Sequence, residues 1–261
     1  MQRPVVLLTG VTGENSTSLA AAVTSLGGRV TRTFDLSVSH VVCRVDENRY
    51  TPRTLKYCCG LLSGAHLVSP AWLAACQAAK AWRAPSPIEQ VQGCAVPSSS
   101  RGRSLHKGPR RRQQVRLNEA RERGEHSRDG GLHARAETEP GRRLLTPPQV
   151  GGRRFFLLGA FDGCPSRSDL QQLLSLAGAE LVQHAPATPK EARGTLCVWD
   201  PKSPACAVLE SVVSLGVPCV KPNYVLDCVS HFEERPVPLS STEDPPPFPV
   251  LTGQVSSLPS Y

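Results

Sequence analysis

Aromatic residues make up only 5% of this 261-residue chain, and none occurs between Trp82 and Phe155. That interval is rich in Ser, Gly, Pro and Arg and shows no apolar period. It lacks the surface needed to build a core, and is expected to be a largely disordered linker. The ten cysteines contain no C-x-x-C spacing, and the one close pair, Cys58-Cys59, is adjacent. That spacing weighs against zinc-type ligand sets. Most of the other cysteines fall on apolar segments, which reads as buried, reduced thiols in an intracellular compartment. No run of about 18 apolar residues is present, so no membrane span is expected. Only Val5 to Leu8 precede Thr9-Gly10 as an apolar run, too short for a secretory signal.

The formal net charge is +8, but residues 101–154 hold 15 Lys/Arg against 6 Asp/Glu, so the rest of the chain is close to neutral. The basicity therefore belongs to the linker. Its run Gly108-Pro109-Arg110-Arg111-Arg112 suits three roles that the sequence leaves open: contact with DNA or acidic surfaces by counterion release, nuclear import, or a solvated spacer.

The chain repeats itself. Val5-Val6-Leu7-Leu8 reads as a buried strand, followed by Leu19, Ala22, Val23 and Leu26 at helical spacing and a stop at Gly27-Gly28. Arg29 to Thr31 and His40 to Cys43 follow as strands. Pro52 is expected to start a helix with Leu55, Cys58, Cys59 and Leu62 on one face. Leu67-Val68 is the last strand, with Ser69 and Pro70 opening a helix that contains Trp72. The order recurs from Phe155-Phe156-Leu157-Leu158 through a Leu-rich helix ending at Gly178, strands at Leu181-Val182 and Leu196 to Trp199, a helix from Ala207 to Leu215, Val217 to Val220, and a helix with Pro222 and Tyr224. Pro218 cannot donate to a ladder, which places that strand at a sheet edge. The prediction is an α/β fold of two tandem modules, each a small four-stranded parallel sheet flanked by helices. The expected bounds are 1–85 and 153–240, with the linker over 86–152 and a tail over 241–261.

Thr9-Gly10 closes the first strand ahead of a helix, so backbone N–H groups and a hydroxyl gather at a helix N-terminus, which suits an anion. Gly10-Val11-Thr12-Gly13 matches half of a dinucleotide fingerprint, with Asp35 near the place of a ribose-binding acid. The third Gly and a Tyr-x-x-x-Lys pair are missing, which weighs against a nucleotide-binding enzyme. Arg53 and Lys56, three apart on the expected helix, form a candidate phosphate cradle; the alternative is two solvated surface charges. The seven His residues make no Ser-His-Asp or metal-ligand spacing. His40 reads as structural, and no catalytic residue, metal or cofactor is expected.

The Thr-Gly strand end, Gly27-Gly28, Trp72 and Gly178 resemble the BRCT module of DNA-damage-response proteins. Arg53-Thr-Leu-Lys-Tyr-x-x-Gly60, Gly64 and Leu67-Val-Ser-x-x-Trp72 are similar to the first of the tandem BRCT repeats in the type 1 breast cancer susceptibility family. Gln92-Gly93-x-x-Val96 and His106 to Arg111 resemble its inter-repeat linker, Val225-Leu226-Asp227 its last helix, and Leu258 to Tyr261 its tail. Residues of about 116–150 fall outside the resemblance and read as an insertion. The resemblance implies a phosphoserine-peptide reader selective for pSer-x-x-Phe, with Thr9, Gly10 and Lys56 on the phosphate and Arg53 on the peptide main chain. It also implies an aromatic pocket at Cys58, Pro165 and Leu226, where Cys58 stands for a family Phe and Pro165 for a family Met. Expected partners are phosphorylated DNA-damage-response proteins in the nucleus, with DNA as a further partner through the linker and no membrane or small-molecule substrate. Family members' ubiquitin-ligase activity depends on a RING whose cysteine spacing is missing here, so any such activity would belong to a longer form. The same-fold alternative is a phosphate-independent scaffold that binds DNA or other BRCT proteins.

Overall fold

The structure is a computed structural model that describes residues 3–97, 103–107, 153–203, 206–231 and 237. The first module runs β1 (Val5–Thr9), α1 (Gly13–Ser25), β2 (Arg29–Thr31), β3 (His40–Cys43), β4 (Tyr50–Pro52), α2 (Leu55–Ser63), β5 (His66–Val68) and α3 (Pro70–Ala78). Four of these strands make a parallel sheet in the order β2-β1-β3-β5. Strand periodicity sends alternate side chains to opposite faces. Val6, Leu8 and Val42 pack with Val23, Trp72 and Leu73 of α1 and α3, while Leu7, Val41 and Cys43 pack with α2.

The two glycines after α1 are needed for different reasons. Gly27 has φ +74°, a left-handed conformation that closes the helix. Gly28 has no room for a side chain, since a Cβ there would lie 2.7 Å from Cζ2 of Trp82. Trp72 is fully buried and its indole N–H donates to the Arg83 carbonyl at 3.0 Å. The His40 ring stacks between His66 and Trp72, with centroids 4.8 and 4.5 Å away, which gives His40 the packing role expected of it.

Ordered structure continues past residue 85, where the linker was expected to begin. Ser69 N–H donates to Glu89 O at 2.8 Å and Val91 N–H to Leu67 O at 3.0 Å. The Glu89 carboxylate is buried, pairs with Arg83 and accepts from the backbone and hydroxyl of Ser86. Cys94 is fully buried in the central core. β6 (Gly93–Pro97) runs parallel to β4, and β7 (Arg103–Lys107) antiparallel to β6. A buried carboxylate with its own donors and one buried thiol tie down a segment whose composition reads as linker. The rest of the interval, including Gly108 to Arg112 and the 116–150 insertion, lies outside the described residues, as does the 241–261 tail.

The second module runs β8 (Arg154–Leu158), α4 (Arg167–Leu176), β9 (Glu180–Val182), α5 (Pro189–Ala192), β10 (Thr195–Trp199), α6 (Ala207–Ser214), β11 (Cys219–Val220) and α7 (Pro222–His231). Its parallel sheet has the order β11-β10-β8-β9. β11 is at the edge, as Pro218 requires, and has only two residues. The short α5, opened by Thr188 and Pro189, is an addition to the expected order. No helix among the described residues is long and apolar enough to cross a membrane.

The modules share one core. In α2 every residue from Tyr57 to Leu62 is buried, the signature of a helix covered on all sides. The same core contains Leu170, Leu173 and Leu174 of α4 and Val225, Cys228 and Val229 of α7. Each fully buried leucine contributes roughly 1.5–3 kcal/mol. Gln172 of α4 adds a polar link, donating to the Phe34 carbonyl at 3.4 Å.

Gly60 sets how closely α2 approaches the first sheet. A Cβ at this position would lie 2.6 Å from Cγ2 of Val41 and 3.0 Å from Cδ2 of Leu67. Gly60→Ala is therefore expected to destabilise the chain by about 1–3 kcal/mol through overpacking, read as a lower urea midpoint. An unchanged midpoint would show that the helix has slack on this face.

Candidate functional site: a phosphate cradle between β1 and α2

α2 starts later than the sequence suggests. Pro52 ends β4 and Arg53 precedes the cap. Thr54 is the N-cap residue, extended at φ −110°, ψ 155°, and its hydroxyl accepts from Tyr57 N–H at 3.1 Å. The capping bond satisfies an orphan donor of the first turn. Arg53 and Lys56 therefore do not share a helical face: Lys56 lies in the first turn, while Arg53 turns toward the other module.

Thr9, the last residue of β1, is buried, and its hydroxyl oxygen lies 2.7 Å from that of Thr54. One lone pair of Thr54 is occupied by the Tyr57 N–H. Either hydroxyl can donate in the Thr9–Thr54 bond; when Thr54 donates, the Thr9 hydroxyl hydrogen is left able to point outward. Gly10 follows with φ +71°, close against Cβ of Arg44, while Arg44 N–H donates to Thr9 O at 3.0 Å. The end of β1 is thus pinned to the segment leaving β3.

Lys56 reaches back to the same strand end, its ammonium donating to the Leu8 carbonyl at 3.2 Å. Partial burial lowers its pKa from the ordinary lysine value. A cation that has lost some solvent and gained one carbonyl gains from an anionic partner, and binding of such a partner would push the pKa back up. The structure therefore brings Thr9, Gly10 and Lys56 together, with Thr54 as the hub. Thr54's role was missed in the sequence, although a Thr immediately before the helical run is the signal that finds an N-cap.

The Arg53 guanidinium, 10% exposed, donates to the Asp227 carboxylate of α7 at 2.5 Å. This ion pair bridges the modules over 174 positions of sequence, and charge alone does not reveal it. Cys58, one turn after the cap, is fully buried, and burial pushes its thiol well above the ordinary range. Leu226 packs half-buried on the same core. Pro165 is half-buried in the loop before α4, after a cis bond to Cys164.

Two further features set this loop apart. A cavity of about 440 Å³ adjoins Gly10 and is lined by Val11, Thr12, Leu19, Arg44 and Pro70. It sits outside the carboxyl ends of β1 and β3, where the strand order reverses and open α/β sheets take ligands. In the second module the matching place, after β8, is filled from within. The Asp200 carboxylate there accepts from Lys202 N–H at 3.0 Å and Phe161 N–H at 2.9 Å, bonds that lower its pKa. Asp35 bonds Ser37 of its own turn.

The chain's likeness to known proteins bears on the fold that carries these residues. Residues 2–77 match the family model of the BRCA1 C Terminus (BRCT) domain. A curated relative, the Protein BREAST CANCER SUSCEPTIBILITY 1 homolog of Arabidopsis thaliana, is 29% identical over 110 residues, which is 41% of this chain and 12% of that protein's length. The solved BRCT5-BRCT6 domains of S. pombe Brc1 superpose with a TM-score of 0.51 at 12% identity, covering 89% of this chain and 94% of that one. The first module matches the BRCT domain model, and the chain as a whole resembles the fold of that solved tandem BRCT pair.

Thr54→Ala is expected to cost about 0.5–2 kcal/mol through loss of the cap, and Thr54→Ser to restore most of it. Equal urea midpoints for wild type and Thr54→Ala would show that the hydroxyl is not what holds the start of α2.

Proposed function

We propose that the chain is a phosphoserine-peptide-binding scaffold of the DNA damage response and double-strand-break repair, acting in the nucleus and selective for pSer-x-x-Phe segments. The observation that carries this reading is the convergence of the Thr9 hydroxyl, the Gly10 backbone and the partly desolvated Lys56 ammonium at the end of β1. A phosphate seated there accepts charge-assisted hydrogen bonds, each contributing roughly 1.5–3 kcal/mol. Arg53, held by Asp227, takes the peptide main chain as it crosses toward the second module. The aromatic side chain three residues on enters the junction near Cys58, Leu226 and Pro165, adding roughly 2 kcal/mol by burial. Micromolar affinity needs about 8 kcal/mol net of the cost of association, so neither subsite suffices alone. Phosphorylated damage-response proteins are the partners that this chemistry fits.

Full burial of Cys58, where the family carries a Phe, favours a second reading: a phosphate-independent scaffold that binds DNA or other BRCT proteins.

Fluorescence polarisation of a pSer-x-x-Phe peptide and its unphosphorylated twin separates the two. The first reading predicts binding of the phosphorylated form alone, weakened about tenfold to a hundredfold in Lys56→Met, which is one charged hydrogen bond. Equal affinity for both peptides would favour the second. Leu173→Ala, which opens the junction without touching the cradle, is expected to weaken phosphopeptide binding as well as stability. Unchanged affinity in that variant would show that the junction does not set the spacing of the two subsites.

A further inference from the structure

The second module carries a thiol pair that phosphate recognition does not use. Cys197 in β10 and Cys219 in β11 are direct neighbours in the parallel register, and both belong to the core that contains Phe156, Val212 and Val217. In-register residues of adjacent strands project from the same face. Adjacent strands lie roughly 4.7–4.9 Å apart, within the roughly 4.4–6.8 Å that a disulfide spans between Cα atoms. β11 is a two-residue edge strand following Pro218, so its position is held by few ladder bonds. Cys219 is half-buried, while Cys197 lies fully buried beside it. Cys206, exposed at the N-cap of α6, is a third thiol nearby, but among the described residues no group is arranged to hold a metal ion.

We propose that Cys197 and Cys219 form a dithiol modification site that a low-molecular-weight disulfide, such as oxidised glutathione, converts to an intramolecular disulfide. The Cys219 thiolate attacks one sulfur of the reagent, forming a mixed disulfide and expelling one glutathione thiolate. Cys197 then attacks the Cys219 sulfur, its proton passing to the departing glutathione thiolate, which leaves as the second glutathione. Two cysteine thiols are oxidised and one reagent disulfide is reduced to two thiols. The closeness of the two thiols favours Cys219 as the attacking group: proximity to Cys197 lowers the Cys219 pKa, while that proximity and burial raise the pKa of Cys197. The product ties β11 to β10 one residue before α7, the helix that supplies Asp227 to Arg53.

The test is incubation of the full chain with oxidised glutathione at neutral pH, followed by alkylation and peptide mapping by mass spectrometry. The expected product is a Cys197–Cys219 cross-linked peptide, with Cys219 consumed before the more exposed Cys164 and Cys206. In Cys197→Ser the reaction is expected to stop at a glutathione adduct on Cys219. Three results would overturn the proposal: reaction in order of exposure with Cys219 left free, an adduct on Cys219 that persists in the wild-type chain, or a cross-link from Cys219 to Cys206. The mapping on the unmutated chain decides the matter even if the serine variant fails to fold.

Discussion

Burial of α2 between the first sheet and helices α4 and α7 is the constraint on which the rest depends. A nine-residue helix is too short to be stable in water by itself, so it persists because Tyr57 to Leu62 are covered by the first sheet on one side and by α4 and α7 on the other. One end of this helix carries Thr54 and Lys56, and its middle carries Cys58. The same burial that joins the modules therefore fixes the proposed phosphate cradle and the junction at a set separation. Gly60 makes the close approach to β3 possible, since any larger residue would push α2 away from Val41.

The polar groups at the site are arranged by that packing. Thr54 caps the helix and also bonds the Thr9 hydroxyl, so the residue that starts α2 ties it to the end of β1. Lys56 gives up some solvent to reach Leu8 O, leaving a cation that gains from an anion. Arg53 is held by Asp227 across the junction. The second module's matching loop holds its own carboxylate, Asp200, which accepts from the Phe161 and Lys202 backbone N–H groups.

Most of the fold was legible in the sequence because short apolar strands and Gly-terminated helices recur in the same order twice. Val6 and Leu7 show their alternation directly, and Pro218 announces an edge. The start of α2 was misplaced because Pro52 is compatible both with a first helical turn and with the end of an edge strand; the Thr54 cap decides between them. Glu89 and Cys94 were hidden in a segment of linker composition, since their burial depends on partners, Arg83 and the α2 core, that spacing does not reveal. Among the site residues, Thr9, Gly10 and Lys56 lie at one strand end, Cys58 and Leu226 share one core, and Pro165 is half-buried in the loop before α4. The Arg53–Asp227 pair joins residues far apart in sequence, which pattern alone does not connect.

The most direct measurement is the pKa of Lys56, followed by NMR of its side chain during a pH titration with and without phosphopeptide. The account predicts a value below that of an ordinary lysine in the free chain, a clear rise when the phosphorylated peptide is added, and no change with the unphosphorylated twin. A Lys56 pKa that is indifferent to both peptides would contradict the claim that α2 is held in place to present this cation to a phosphate.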